Sequence, residues 1–200
     1  MRERYAFIGD VHGLLNPLVQ AVERAQAASD TIVFLGDYVN RGPESRQVLD
    51  FLINVKKSLS GRVHFLSGHH DVAFLNAISD DKLDVFLRMG GAATLCNYPR
   101  VDGHGVRLTL RERIPASHVD FLRNLVPSFI ADDLIAMHDQ TDAQTLKAGR
   151  FGIFGHHVQE STEPMITGEF ALIDTGCGTL PDGRLTCFQW PSRNWFQTGV

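Results

Sequence analysis

Three times early in the chain, a short apolar stretch runs into a glycine-bearing polar loop, and the order strand, loop and helix repeats. No other feature narrows its choice of fold as much. Tyr5-Ala6-Phe7-Ile8 stops at Gly9-Asp10, Thr31–Leu35 stops at Gly36-Asp37, and Val63–Leu66 runs into Ser67-Gly68-His69-His70-Asp71. Short apolar runs closed by glycine read as buried strands. After the first, Asn16-Pro17 offers an N-cap and a proline at the first helical position, with Leu18, Val22 and Ala25 at helical spacing. After the second, Val48, Leu49, Phe51, Leu52 and Val55 mark the apolar face of a helix over about 44–57. Alternating strand and helix predict a layered α/β fold, with right-handed crossovers wherever the strands run parallel.

The stretch over about 80–127 breaks this rhythm. Helical patterns at Leu83–Met89 and Ser117–Leu125 flank a turn-rich segment, Tyr98–Gly105, and Gly90-Gly91 reads as a helix break. It is expected to be a helical insertion beside the site within one domain spanning 1–200. Two more strands, Leu134–Met137 and Phe151–Phe154, end at His138-Asp139 and Gly155-His156, while Phe170–Asp174 and Arg184–Gln189 read as a strand pair. A length of 200 residues suits one domain, and 44% hydrophobic with 21% charged residues excludes wholesale disorder. No apolar run approaches the roughly 20 residues of a membrane span, so no membrane partner is expected. A net charge of −4 gives no sign of a nucleic-acid polymer as partner. Three cysteines without CxxC spacing read as reduced thiols of a cytoplasmic protein.

Five predicted strands thus end in loops carrying Asp10 and His12; Asp37, Asn40 and Arg41; His69 and His70; His138; and His156. In α/β folds, ligands gather at the carboxyl ends of strands, so residues far apart in sequence can converge there. Mixed carboxylates and imidazoles suit Mn²⁺, Fe or Zn²⁺. An aspartate shared by two cations lets them activate one water and clamp a phosphoryl oxygen, and Arg41 could grip the same phosphate in bidentate fashion.

These motifs, Gly9-Asp10-Val11-His12-Gly13, Gly36-Asp37-Tyr38-Val39-Asn40-Arg41-Gly42, Gly68-His69-His70-Asp71, His138 and Gly155-His156-His157, come in the order of the calcineurin-like metallophosphoesterases. The chain resembles that family over nearly its whole length, and most resembles the branch of phosphoprotein phosphatases and bacterial dinucleoside tetraphosphate hydrolases. The resemblance implies a two-sheet β-sandwich flanked by helices. It places Asp10, His12 and Asp37 at a first metal, with Asp37 bridging, and His69, His138 and His156 at a second. It makes His70 the general acid and Arg41 the phosphate grip. It also implies in-line attack by a metal-bridged hydroxide on a phosphomonoester, with two divalent ions (Mn, Fe or Zn) as cofactors.

Three departures from the family pattern bear on function. His69 stands where the family has asparagine, which should move metal preference toward Fe or Zn²⁺. Asn40 stands where the family has an aspartate that pairs with the general acid. Its carbonyl is expected to accept the Nδ1–H of His70 without adding charge, lowering the pKa of that ring. Finally, the family's His-Ala-Gly reads His138-Asp139-Gln140, and Arg150 is the sole arginine between His138 and His156. Three readings stay open: a working phosphatase retuned in metal or substrate, a weak phosphate-binding or regulatory relative, or a substitution at position 40 that silences an active site. A small phosphorylated metabolite or nucleotide is favoured over phosphoprotein, with dinucleoside polyphosphate hydrolysis as the alternative. His157 is set equally between lining the substrate pocket and lying exposed. Asp139 is divided between supporting the site and plain surface. Asp71 is expected to cap a helix, Cys177 to be structural, and His64, His104 and His118 to lie outside the site. Trp190 and Trp195 are expected in packing more than over the site.

Overall fold

The computed structural model describes residues 3–79, 82–100, 107–131, 133–143 and 149–199. The first three apolar runs form β1 (Tyr5–Ile8), β2 (Thr31–Phe34) and β3 (Val63–Phe65), paired in parallel. Helices α1 (Leu15–Ala28) and α2 (Ser45–Ser58) connect them, and α3 (His69–Ser79) follows β3. Four short helices come next: α4 (Leu83–Arg88), α5 (Ala92–Cys96), α6 (Leu110–Arg113) and α7 (Ala116–Arg123). The remaining strands are β4 (Ser128–Ala131), β5 (Leu134–Met137), β6 (Phe151–Phe154), β7 (Met165–Ile166), β8 (Phe170–Leu172), β9 (Asp174–Thr175), β10 (Arg184–Trp190) and β11 (Trp195–Thr198), with a 3₁₀ turn at Gln140–Ala143.

Two sheets result, one in the order β11-β10-β1-β2-β3 with β9 also on β10, the other in the order β4-β5-β6-β8-β7. Their packing follows from the period of two along each strand. Phe7, Val33 and Leu35 face Leu134, Ala136, Ile153 and Ala171 in the core between the sheets. Ala6, Ile8, Ile32 and Phe34 point the other way, against Leu18, Val22, Leu49 and Leu52 of α1 and α2. Strands apolar on both faces can exist only between two layers, and the expected two-sheet sandwich with flanking helices is what forms.

Three local expectations differ, and one strand was not anticipated. The α1 cap is not Asn16, which lies inside the helix and bonds Gln20; the Glu44 carboxylate, 29 residues on, accepts the Leu15 N–H at 3.1 Å instead. His69 and His70 open α3 and do not lie in a loop. Phe170–Asp174 and Arg184–Gln189 do not form one hairpin. β8 runs parallel to β6 in the second sheet, whereas Asp174 crosses to the first and pairs with Leu185. Phe170–Asp174 is one unbroken run with no turn residue inside it, so local pattern alone could not divide it between two sheets. The strand β4, polar at its start and half-exposed, carried no such pattern.

Gly90, at φ +85°, separates α4 from α5 as expected. His104 and residues 101–106 of the turn-rich segment lie outside the described residues. Trp190 is buried and stacked on Phe151 at the end of β1 away from Asp10, so it packs and does not face the site. His118 is fully buried, with Nδ1 2.8 Å from the Tyr98 hydroxyl and Nε2 2.9 Å from Asp50. His118→Phe keeps the volume but strips the buried Tyr98 hydroxyl of its partner, so urea unfolding should show a loss of about 1–3 kcal/mol. An unchanged midpoint would show that the hydroxyl finds another partner.

Candidate metal centre

The carboxyl ends of strands from both sheets meet at one place. Asp10 follows β1, Asp37 follows β2, His69 and His70 follow β3, His138 follows β5 and His156 follows β6. Among the described residues, seven that are not glycine have positive φ, and five of them are His12 (45°), Asp37 (52°), Asn40 (73°), Arg41 (67°) and His156 (62°). Such backbone is unfavourable for L-residues and persists where surrounding contacts over-determine it, so strain and candidate chemistry coincide here. The chain must also come close to its own carboxylates. A Cβ on Gly68 would collide with the Asp37 carboxylate, and one on Gly155 with that of Asp10.

Asp37 stands at the centre. Its Oδ2 lies 3.4 Å from His138 Nε2, 3.9 Å from His12 Nε2 and 4.0 Å from His70 Nε2, while its Oδ1 accepts the His70 backbone N–H at 2.9 Å. The inner ring orientations are set from behind. His12 Nδ1 faces Val39 O at 3.3 Å and His138 Nδ1 faces Leu35 O at 3.0 Å, which leaves both Nε2 atoms directed at the centre. Donor atoms within 4.8 Å of one another form the groups His12–Asp37–His70, Asp10–Asp37–His138 and His69–His138–His156. Asp37 and His138 are therefore the shared members. Asp10 and His12 fall in two groups that share Asp37, and Asp10 also accepts the His156 N–H at 3.2 Å.

Burial sets the electrostatics. Asp10 is pushed well above the usual carboxylate range by desolvation and by the neighbouring charge of Asp174. Burial pushes Asp37 the same way, but His138, His12 and His70 outweigh it and hold Asp37 low. His138 is desolvated too, yet Asp10 and Asp37 raise it to about 10, so its imidazolium balances the carboxylates. His12 is lowered to about 4 by burial. Two buried carboxylates and a ring of imidazole nitrogens make a donor set that fits two divalent cations of the Mn, Fe or Zn class, which would take over the balancing charge of His138.

Behind this ring, Asp71 does more than cap a helix. Buried in the first turn of α3, its carboxylate accepts the N–H groups of Asp37 (2.7 Å), Tyr38 (2.9 Å) and Gly68 (3.0 Å), tying the loops after β2 and β3 together. Burial pushes its carboxyl up to about 7.

The Asn40 amide is turned opposite to expectation. Its Oδ1 accepts the Thr94 hydroxyl at 2.7 Å, so its Nδ2, not its carbonyl, faces His70 Nδ1 at 2.8 Å. Ser45 Oγ lies 2.9 Å from Thr94 Oγ1, and both oxygens accept the Asn40 N–H, which leaves the Thr94 proton for Oδ1. An amide N–H donating to Nδ1 places the proton of a neutral His70 on Nε2 and opposes a second proton. Burial lowers the His70 pKa further.

His69 lies inside the cluster, its Nδ1 2.9 Å from His138 Nε2 and its ring 4.3 Å from that of His156. His69→Asn is expected to shift the metal preference toward Mn²⁺, read as relative affinities for Mn²⁺ and Zn²⁺; an unchanged profile would remove His69 from the ligands. His157 and Asp139 adjoin His156, with Asp139 Oδ1 3.4 Å from His157 Nε2. Arg41 is exposed beside the centre. Arg150 precedes β6, at the opposite end of that strand from His156, and is removed as a phosphate ligand. Among the proposed outsiders, His64 packs on Phe129, and Cys177 is buried with Sγ 3.6 Å from Val11 O. Sequence reasoning missed Thr94, which sets the Asn40 amide, and Asp174, buried at a strand end like its counterparts.

A two-sheet fold with carboxylates and imidazoles converging at the strand ends is an arrangement suited to a metal centre. The calcineurin-like phosphoesterase family model matches residues 3–157, and the chain belongs to that family. It is 43% identical over 68 residues to a symmetrical bis(5'-nucleosyl)-tetraphosphatase of Buchnera aphidicola, covering 33% of this chain and 23% of that protein. It is 30% identical over 89 residues to the serine/threonine-protein phosphatase BSL2 of Arabidopsis thaliana, covering 41% and 9%. The chain thus spans under a quarter of either relative's length. The cold-active protein-tyrosine phosphatase of a Shewanella species shares the fold, with TM-score 0.63 and 15% identity over all of this chain and 81% of that one.

Proposed function

We propose that the chain is a dinuclear metal-dependent phosphohydrolase that cleaves phosphomonoesters of small molecules, nucleotides among them. The observation that carries this is the Asp37 carboxylate, buried between the His12 and His138 nitrogens where strand ends of two sheets meet. Asp10, His12 and Asp37 would hold one cation, and Asp37, His69, His138 and His156 the other. Two such cations lower the pKa of water and polarise phosphoryl oxygens, which suits in-line displacement. Arg41 would bind the phosphate, with His157 at the rim, and His70 Nε2–H faces the centre as the hydrogen-bond donor toward the leaving oxygen.

A cavity of about 380 Å³ adjoins His69, His138 and Asp139, with Val72, Val85 and Met137 among its walls. Its apolar walls favour a leaving group with a flat apolar body over a bare sugar. That cavity and the family relatives support dinucleoside polyphosphate as the second substrate reading; a phosphoprotein remains within the substrate panel. The Asn40 amide supports a third, a weak phosphate-binding relative. The test is a panel of nucleoside monophosphates, sugar phosphates, a symmetrical dinucleoside tetraphosphate and a phosphopeptide, run with Mn²⁺, Fe²⁺ and Zn²⁺. Turnover of monophosphates supports the first reading, and turnover of the tetraphosphate alone supports the second. Metal and phosphate binding without turnover supports the third.

A further inference from the structure

Asp139, His156 and His157 stand together at the rim, their donor atoms within 4.8 Å of one another. Asp139 Oδ1 is 3.4 Å from His157 Nε2 and Asp139 Oδ2 is 3.5 Å from His156 Nε2, with His69 Nε2 at 4.0 Å from the same oxygen. These separations are too long for charge-assisted hydrogen bonds, which run about 2.7–2.9 Å. They match the edge of a tetrahedron, about 3.4 Å, whose donors each lie roughly 2.0–2.1 Å from a central zinc. His157 Nε2 is buried and has no hydrogen-bond partner among the described residues, an arrangement that a cation would complete.

The trio is also held in place. The His157 N–H bonds Gly155 O at 2.7 Å, and its carbonyl accepts Gln159 Nε2 at 2.6 Å. The Thr141 N–H anchors Asp139 Oδ1 at 2.8 Å. Two of the three members, Asp139 and His157, belong to neither seat proposed above. Each directly follows a candidate ligand in sequence, His138 and His156 respectively.

We propose that Asp139, His156 and His157 form an additional seat for a zinc-class cation at the rim of the centre. The seat rests on the dinuclear reading only in sharing His156 with it. A cation at the rim draws on His156, which leaves Asp37, His69 and His138 to hold the inner second cation.

The test loads the metal-stripped protein with Zn²⁺ and, separately, Co²⁺, and counts bound ions per chain by elemental analysis. Co²⁺ visible absorption reports four-coordinate binding. Asp139→Asn/His157→Gln should bind one ion fewer per chain than the unaltered protein at saturating zinc, and lose part of the Co²⁺ absorption. Asp37→Asn should lose inner ions yet keep the rim ion. Equal stoichiometry and unchanged absorption in the double variant would overturn the rim seat. Failure of Asp37→Asn to lose any ion would instead strike the dinuclear reading, so the two outcomes are separable. His157→Gln alone, altering one half-exposed ring, gives the same comparison should the double variant fold poorly.

Discussion

Asp37→Asn is expected to lower metal affinity at least about 100-fold and to abolish phosphatase turnover. Replacing groups that merely support a metal ligand typically costs 10–100-fold, and Asp37 is the carboxylate that both proposed seats share. Its Oδ2 faces His138, His12 and His70 Nε2 together, so removing its charge removes the one anion common to all three. An asparagine keeps an oxygen to accept the His70 N–H now bonded at 2.9 Å, so the fold has reason to survive. Calorimetric titration with Mn²⁺ and Zn²⁺, beside circular dichroism as a check on folding, measures the effect. Metal binding equal to that of the unaltered protein would sink the dinuclear assignment.

Asn40→Asp is expected to raise turnover of alkyl phosphates by roughly 10²–10⁴, the range a positioned general acid supplies. An aspartate still accepts the Thr94 hydroxyl but turns a carboxylate oxygen toward His70 Nδ1, where an amide N–H now stands 2.8 Å away. The ring can then carry protons on both nitrogens and donate one from Nε2. The sign for pH follows. Catalysis that needs protonated His70 is lost as pH rises through its pKa, and burial now keeps that pKa below the usual histidine value. A carboxylate partner raises it, so the alkaline limb of kcat should move to higher pH. p-Nitrophenyl phosphate, whose leaving group needs little protonation, should gain far less. Equal gains on both substrates, or an unmoved limb, would remove His70 from proton transfer.

Much of the site is legible in the chain because the chemistry sits at strand ends and strand ends carry a local signature. Apolar runs stopping at Gly-Asp, Gly-His or His-Asp marked Asp10, Asp37, His138 and His156, and the order of the motifs pointed to the family. The same pattern, apolar on both faces, implied strands buried between two layers. Where the expectation went astray, the deciding partner was remote. The Asn40 amide is set by Thr94, 54 residues away, and the α1 cap comes from Glu44. Asp139 and His157 became neighbours only because β5 and β6 lie side by side in register, Met137 opposite Phe154.

The sequence by itself determined the alternation of elements, the residue types at the strand ends and the family, since each is written in contiguous residues with a period or a motif. Tertiary structure alone decided that Phe170–Leu172 and Asp174–Thr175 enter different sheets, that Asp10 meets His156 across 146 residues, and which way the Asn40 amide turns. These rest on hydrogen bonds and charges that join distant segments, and a bond of that kind leaves no periodicity in either segment to be read beforehand.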